Sequence, residues 1–202
     1  MIDSAISNSG LPREFVKTSA IVAVILCTAF GPSVFLLMPL YVGMLQETLS
    51  IGEGDLGLVA SADLVGTAIV SFLAPLWINR ISWRRAALVC FAGLIVCNLV
   101  SMSLANLVPL LVVRLFAGLF YGCIAALCVG VLSHSQYPAR HAGLLVLIQV
   151  LYQSVAFLVL PDVIERTGMT GFMVSVVAVQ CVAFVSLLYF PRLPPVKTEG
   201  EF

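Results

Sequence analysis

Pro75-Leu-Trp-Ile-Asn-Arg-Ile-Ser-Trp-Arg-Arg85 is the stretch that decides the fold of this chain. It is short and strongly basic, and it separates two apolar runs that are each long enough to cross a lipid bilayer. Arg80, Arg84 and Arg85 would each cost several kcal/mol in hydrocarbon. We therefore expect this loop to lie in water, and its positive charge predicts the cytoplasmic side of the membrane.

The composition is typical of a membrane protein. Of the 202 residues, 61% are hydrophobic and 10% are charged, and the mean hydropathy is +1.11. Soluble domains are close to half apolar and a quarter charged. All six cysteines fall inside apolar runs, which favours small buried side chains over a disulfide framework or a metal site. The expected fold class is an all-α membrane protein without metal or cofactor.

Six apolar runs approach the roughly 20 residues that a membrane-spanning helix needs. They cover about 19–45, 51–78, 86–104, 110–132, 143–160 and 172–190. The expected organisation is a cytoplasmic N-terminal segment at 1–18, a six-helix transmembrane domain at 19–190 and a cytoplasmic tail at 191–202.

Local signals predict how the runs begin and end. Gly31-Pro32 and Pro39 interrupt the first run, and Ser50-Ile-Gly-Glu53 predicts a capping box that opens the second helix near Ile51. Asn106 is available as a cap for the fourth helix. A polar loop is expected at 133–142, and Pro161 is expected to close the fifth helix before an outer loop at 162–171.

Charge placement gives the orientation. With the Pro75–Arg85 stretch inside, alternation puts eight cationic residues on the cytoplasmic side and only Arg166 outside. This positive-inside bias predicts that both termini are cytoplasmic. The eight residues are Arg13, Lys17, Arg80, Arg84, Arg85, Arg140, Arg192 and Lys197.

Two motifs resemble those of the major facilitator superfamily (MFS). Asn79-Arg-Ile-Ser-Trp-Arg-Arg85 is similar to its loop signature between the second and third helices. Arg114-Leu-Phe-Ala-Gly118-Leu-Phe-Tyr-Gly122 is similar to its fourth-helix pattern, and the Pro39 exit of the first helix is also similar. The resemblance implies an MFS-like half-bundle, the N-terminal six-helix half of a secondary transporter, built as a 3+3 inverted repeat.

The chain departs from the family pattern in the basic loop. Asn79 stands where the family has an acid that helps to latch the two halves, Pro75 stands at the first glycine position, and Ser82 stands at the turn glycine. An asparagine can donate and accept hydrogen bonds but cannot form the latch's ion pair. The arginines of this loop either take part in the family's cytoplasmic loop motif or only set the topology.

Length is a second departure. The superfamily pairs two six-helix halves around a site near the middle of the membrane, whereas this sequence contains one. Its proline-rich tail resembles the start of the family's central linker. We expect a second six-helix half as partner, either a missing C-terminal half or another copy of this chain.

Asp63 and Arg114 are the two charged residues well inside the apolar runs. Charges at such positions are costly and face a cavity or one another. Helix geometry places both roughly 10–12 Å below the outer ends of their helices, so we predict that they pair or share one water-filled cavity. In the structural alternative, Arg114 satisfies backbone carbonyls and Asp63 lies in the hydrated outer end.

Further polar residues are candidates for a solute pathway: Gln149, Tyr152 and Gln153 on one face of the fifth helix, and Asn98 on the third. Gly118 and Gly122 are spaced for close helix packing. Gln180 is an isolated polar residue on a sixth helix that we expect to contact mostly lipid. His134 and His141 are expected to be solvated loop residues.

Transport of a small solute by alternating access is the favoured function. The chain contains no Gly-rich phosphate loop with Lys-Ser/Thr, which argues against an ATP-driven pump. It also contains no Gly-x-Ser-x-Gly and no His-Glu-x-x-His, so we do not expect an enzyme. The alternatives are a non-transporting assembly or regulatory membrane subunit and a half-transporter that works as a dimer.

The expected partners are the lipid bilayer, a small-molecule solute with or without a coupling proton or ion, and the second half, but no nucleic acid. The resemblance implies a multi-pass protein of the plasma membrane, which is the inner membrane in a bacterium. The polar residues suit a sugar, an organic acid or a drug about equally.

Overall fold

The structure, a computed structural model, describes residues 18–49, 52–78 and 80–191. Within these ranges every regular element is a helix and no strand occurs. The elements are α1 (Thr18–Phe30), α2 (Ser33–Leu36), α3 (Met38–Leu49), α4 (Glu53–Trp77), α5 (Trp83–Ser101), α6 (Leu107–Ser133), α7 (Pro138–Ser186) and a short 3-10 helix (Leu187–Tyr189).

The helices have the length and composition of membrane spans. In the described part of the chain, four segments are long and apolar enough to cross a bilayer, and Thr18–Phe30 is a shorter apolar helix. The four segments are Gly54–Trp77, Trp83–Ser101, Leu107–Ser133 and Pro138–Tyr189. The expected class, an all-helical protein of membrane type, is confirmed, whereas six spans and cytoplasmic termini stay predictions.

The first apolar run is a broken helix, as its prolines predict. α1 ends at Phe30, and the chain passes Gly31 and Pro32 before the short α2 and then α3. Because a proline has no N–H, the carbonyl of Thr28 loses its normal helical donor at Pro32. Gln149 Nε2 occupies that place with a 3.0 Å hydrogen bond to Thr28 O.

Two more glutamines bond to the broken segment. Gln153 Nε2 donates to Leu36 O at 2.8 Å, and Gln180 Nε2 donates to Gly31 O at 2.9 Å. A buried carbonyl without a donor is costly in a membrane, where water is absent. The glutamine amides therefore stabilise the break that the prolines create.

α7 reverses direction at Gly168. Gln149 and Gln180 are 31 residues apart, a separation of about 46 Å along a straight helix, yet they bond to Thr28 and Gly31, which lie three residues apart. The reversal occurs at Gly168, whose φ of 61° and ψ of −148° suit glycine alone. The chain before it (138–167) is called the first arm below, and the chain after it (169–186) the second arm.

Several predicted boundaries are wrong. The fifth helix does not end at Pro161, since the first arm continues to the reversal; membrane helices tolerate a proline where neighbouring groups satisfy the freed carbonyl. Residues 162–167, predicted as an outer loop, are therefore helical. The loop predicted at 133–142 is also shorter, because Pro138 starts α7 at a position where its ring favours the first helical turn.

The predicted caps are corrected as well. α4 begins at Glu53 with Gly52 as its N-cap and no side-chain capping bond; Ser50 and Ile51 lie outside the described residues. Asn106 is the N-cap residue of α6, but its side chain makes no capping bond. The termini of these helices are exposed, so water can bind their free N–H groups.

Two apolar clusters form the interior. One lies among α1, α5, α6 and residues 183–190 around Phe91 and Ile124, and the other joins α3 to both arms of α7 around Tyr41 and Phe172. The outer faces are also apolar, as Phe72 with 84% exposure illustrates, which is expected of helices that face lipid. All six cysteines are free. Only Cys27 and Cys128 are buried as predicted; Cys90, Cys97 and Cys123 are half-buried, and Cys181 is exposed on the second arm.

Candidate functional site

Small residues bring α4 and α6 into backbone contact. Gly66 of α4 faces the backbone of α6, and a Cβ on Gly118 would overlap the carbonyl of Asp63. A Cβ on Gly122 would lie 2.7 Å from the carbonyl oxygen of Thr67. The hydroxyl of Thr67 also donates across the contact to Gly118 O at 3.1 Å. The two glycines predicted for packing therefore lie at the helix contact, as small residues in membrane proteins do.

This contact brings Asp63 and Arg114 together. Arg114 Nη1 lies 3.6 Å from Asp63 Oδ2, and among the described residues this is the one ion pair. Asp63 is 7% exposed and Arg114 is 1% exposed. The predicted pairing is thus present. Attraction between the two charges offsets part of the free-energy cost of removing each from water. A single unpaired charge in this apolar interior would be strongly destabilising.

Asn98 and Gln180 extend the ion pair into a chain of hydrogen bonds. Arg114 Nη2 donates to Asn98 Oδ1 at 2.5 Å, and Asn98 Nδ2 donates to Gln180 Oε1 at 2.8 Å. Gln180 Nε2 then donates to Gly31 O. This series of hydrogen bonds connects α4, α6, α5 and the second arm of α7 to the break after α1. All of its side chains are buried.

Tyr41 covers the other side of the guanidinium. The Arg114 Cζ lies 5.7 Å from the centroid of the Tyr41 ring, which stacks at 5.9 Å on Phe172. A cation over an aromatic face is attracted by the ring quadrupole. In the described part of the chain, the hydroxyl of Tyr41 and Nε of Arg114 are buried polar groups without a hydrogen-bond partner. Arg114 is therefore enclosed by protein.

A cavity of about 260 Å³ lies beside the ion pair, at the break in the first helix. Gly31 and Pro32 form part of its wall. Its polar side chains come from four helices and are Asp63, Thr67, Asn98, Tyr121 and Gln149. At roughly 30 Å³ per water molecule, the space is enough for several waters or one small solute.

The structure brings some of the predicted pathway residues together and separates others. Asp63, Asn98 and Gln149 line the cavity, and Arg114 lies directly behind Asp63. Tyr152 packs edge-on against Phe30 with ring centroids 5.1 Å apart, outside the lining. Gln153 also lies outside it, with its amide donor bound to the first helix.

The basic loop lies at the opposite end of α4 from Glu53. Arg80 and Arg85 are exposed and Arg84 is half-buried, and Trp83 Nε1 donates to Ile78 O at 2.8 Å, which closes the turn. Asn79 lies outside the described residues. His134 is exposed beside this loop, with its ring 6.2 Å from that of Trp83.

Sequence reasoning missed the contribution of Gln180. It lies on an otherwise apolar segment, which predicted lipid contact, yet it is fully buried and makes two hydrogen bonds. The signal that could have identified it is the cost of a lone amide in lipid, together with the broken first helix that needs donors. Tyr41, Thr67 and Tyr121 carried no such signal.

Comparison with known proteins gives one family. The family described as "Sugar (and other) transporter" matches residues 33–160, a range that begins directly after the break at Gly31 and Pro32 and includes the basic loop and both members of the ion pair. No curated protein and no solved structure matches the chain. Proteins of this family are transporters rather than enzymes. With more than half of its length matched, the chain belongs to the sugar (and other) transporter family of the major facilitator superfamily.

Proposed function

We propose that this chain forms one six-helix half of a secondary transporter that moves a small solute by alternating access. The observation that carries the proposal is the polar cavity at the broken first helix, backed by a buried ion pair, in a chain of a transporter family. A purely structural bundle in lipid has little reason to keep buried charges, because they are costly there.

The location of the cavity supports this function. Asp63 is ten residues from the start of α4, and Arg114 is seven from the start of α6, which corresponds to depths of about 10–15 Å. Solute sites of secondary transporters lie near the middle of the membrane, beside discontinuous helices. Here the discontinuity is at Gly31 and Pro32, which line the cavity.

We assign different roles to the polar residues. Asp63, Asn98 and Gln149 contact the solute, and Arg114 holds Asp63 in place. Tyr152 and Gln153 belong to the same pathway but act on its wall, since both lie outside the cavity lining. The loop that carries Asn79, Arg80, Arg84 and Arg85 forms the cytoplasmic contact with the second half.

We also propose the membrane arrangement. The chain crosses the membrane six times, the broken first run counts as one span, and each arm of α7 counts as one. The Arg80 loop and both termini are cytoplasmic, whereas the reversal at Gly168 is outside. The membrane is the plasma membrane, and a second half completes the pathway and supplies any coupling to a proton or ion.

Uptake into liposomes tests the proposal. The chain is reconstituted alone and together with the six-helix segment that its own gene or a neighbouring gene encodes, and a panel of radiolabelled sugars, amines and carboxylates is offered. We expect one class to accumulate when both halves are present. The matched control carries Asp63→Asn and Arg114→Gln, which keeps the pair neutral and should abolish accumulation. Absence of accumulation of any class by the two halves would contradict the proposal.

A further inference from the structure

The buried ion pair is placed asymmetrically with respect to the cavity. Asp63 is part of the cavity wall, whereas Arg114 is not. The guanidinium lies behind the carboxylate, enclosed by the Tyr41 ring on one side and by Asn98 on another. A solute in the cavity therefore meets the negative end of the pair first. Because Coulomb energy falls with distance, the nearer carboxylate determines the sign of the field there.

Several hydrogen-bond donors around the cavity are already engaged in bonds to the protein. Asn98 Nδ2 is bound to Gln180, Gln149 Nε2 is bound to the Thr28 carbonyl, and the Thr67 hydroxyl is bound to backbone carbonyls. Asp63 and Gln149 of the lining also carry acceptor groups, a carboxylate and an amide oxygen. With these donors bonded to the protein and a carboxylate in the lining, the cavity favours a solute that supplies donors.

From this asymmetry we infer that the cavity takes a small solute with a protonated amine, which binds Asp63, and that it excludes carboxylates and other anions. The inference deepens the proposed transport function and rests on it. An ammonium group has three donors and no acceptor, so it complements both the carboxylate and the amide oxygen. A solute carboxylate would face Asp63 with like charge.

Thiol labelling measures the charge preference without knowledge of the natural solute. Leu64 lines the cavity and is 51% exposed, so Leu64→Cys places a reporter there at little structural cost. The detergent-purified chain is labelled with 2-aminoethyl methanethiosulfonate, which is cationic, and with 2-sulfonatoethyl methanethiosulfonate, which is anionic. Labelling of the parent chain is subtracted to remove the contribution of the natural cysteines.

Ser103→Cys supplies the reference for the intrinsic reactivity of the two reagents. Ser103 is exposed in the turn between α5 and α6, and residues 102–106 contain no charge. After normalisation to this variant, we expect the cationic reagent to be favoured at Leu64→Cys by about tenfold. Adding Asp63→Asn should reverse or abolish the preference, since Arg114 is then uncompensated.

If the protein with Asp63→Asn alone fails to fold, the double variant that also carries Arg114→Gln is used in its place. For that variant, the normalised ratio of cationic to anionic labelling should be close to one. Equal labelling by the two reagents, faster anionic labelling, or a ratio that persists without the Asp63 charge would overturn the inference. The measurement requires no transport. A protein that shows the labelling preference but takes up no solute would disprove the proposed function alone.

Discussion

Gln180 and Gly31 lie 149 positions apart in the sequence, yet Gln180 Nε2 donates to Gly31 O at 2.9 Å. This bond connects the second arm of α7 to the break in the first helix. Through its Oε1, Gln180 also accepts from Asn98, which in turn accepts from Arg114. The break that shapes the cavity and the ion pair behind the cavity are therefore held by one continuous set of hydrogen bonds.

Replacement of Gln180 should destabilise the whole bundle. Gln180→Leu leaves Gly31 O and Asn98 Nδ2 without partners, and each buried unsatisfied group costs about 1–3 kcal/mol. We expect a clear fall in the unfolding temperature of the detergent-purified protein. The control is Cys181→Ala, at the exposed neighbouring position. Equal unfolding temperatures for the two variants would show that the bond to Gly31 contributes nothing.

The ion pair should behave as a unit. Asp63→Asn or Arg114→Gln alone leaves one buried charge uncompensated, which costs about 3–5 kcal/mol. Replacing both leaves two neutral groups that can hydrogen-bond, so we expect the double variant to unfold at a higher temperature than either single one. Thermal unfolding of the parent protein, the two single variants and the double variant gives the coupling free energy between the two residues. A double variant no more stable than the singles would rule out the pairing as an energetic unit.

Two glycines of α4 should respond oppositely to alanine. A Cβ at Gly66 meets the backbone of α6, whereas a Cβ at Gly57 meets nothing within 4 Å. Gly66→Ala forces α4 and α6 apart and should lower the free energy of unfolding by about 1–3 kcal/mol. Gly57→Ala should stabilise by up to about 1 kcal/mol, because alanine is the better helix former. Unfolding temperatures check both, and a harmless Gly66→Ala would mean that α4 and α6 are not in backbone contact.

Gly168 offers a test of the reversal in α7. Its positive φ with an extended ψ is strained for any residue with a Cβ, so Gly168→Ala should destabilise by about 1–3 kcal/mol. Gly143→Ala is the matched control, since it lies in the first arm with open space around it. If the two alanine variants unfold alike, the chain does not turn at Gly168 in the way described.

Much of the fold could be predicted from hydropathy and charge, because both act locally along the chain. The apolar runs, the proline break in the first helix and the glycines at the contact of α4 and α6 follow from residue type and spacing. Helix ends were less predictable. Pro161 predicts an end, but the helix continues past it, as membrane helices do where neighbouring groups satisfy the freed carbonyl. The reversal point depends on a single positive φ at Gly168, which no periodicity indicates.

The candidate site could be predicted only in part for a similar reason. Charge cost alone identifies Asp63 and Arg114 as partners. Gln180 is different, because its role depends on which carbonyls lack donors and on which helix packs beside them. Tyr41 is another example: an aromatic residue in an apolar run predicts core packing, and its position against Arg114 is visible only in three dimensions.

The arrangement of the chain across the membrane is the claim on which the transporter account depends. The most direct measurement labels intact cells with a membrane-impermeant maleimide after one cysteine is added at Ser82, in the basic loop, or at Thr170, beside the reversal; labelling of the parent chain, with its six natural cysteines, is subtracted. Both positions are exposed and uncharged, so the charge distribution is unchanged. The account predicts labelling at Thr170→Cys in intact cells and at Ser82→Cys only after permeabilisation. Labelling of Ser82→Cys from outside, with Thr170→Cys silent, would contradict it.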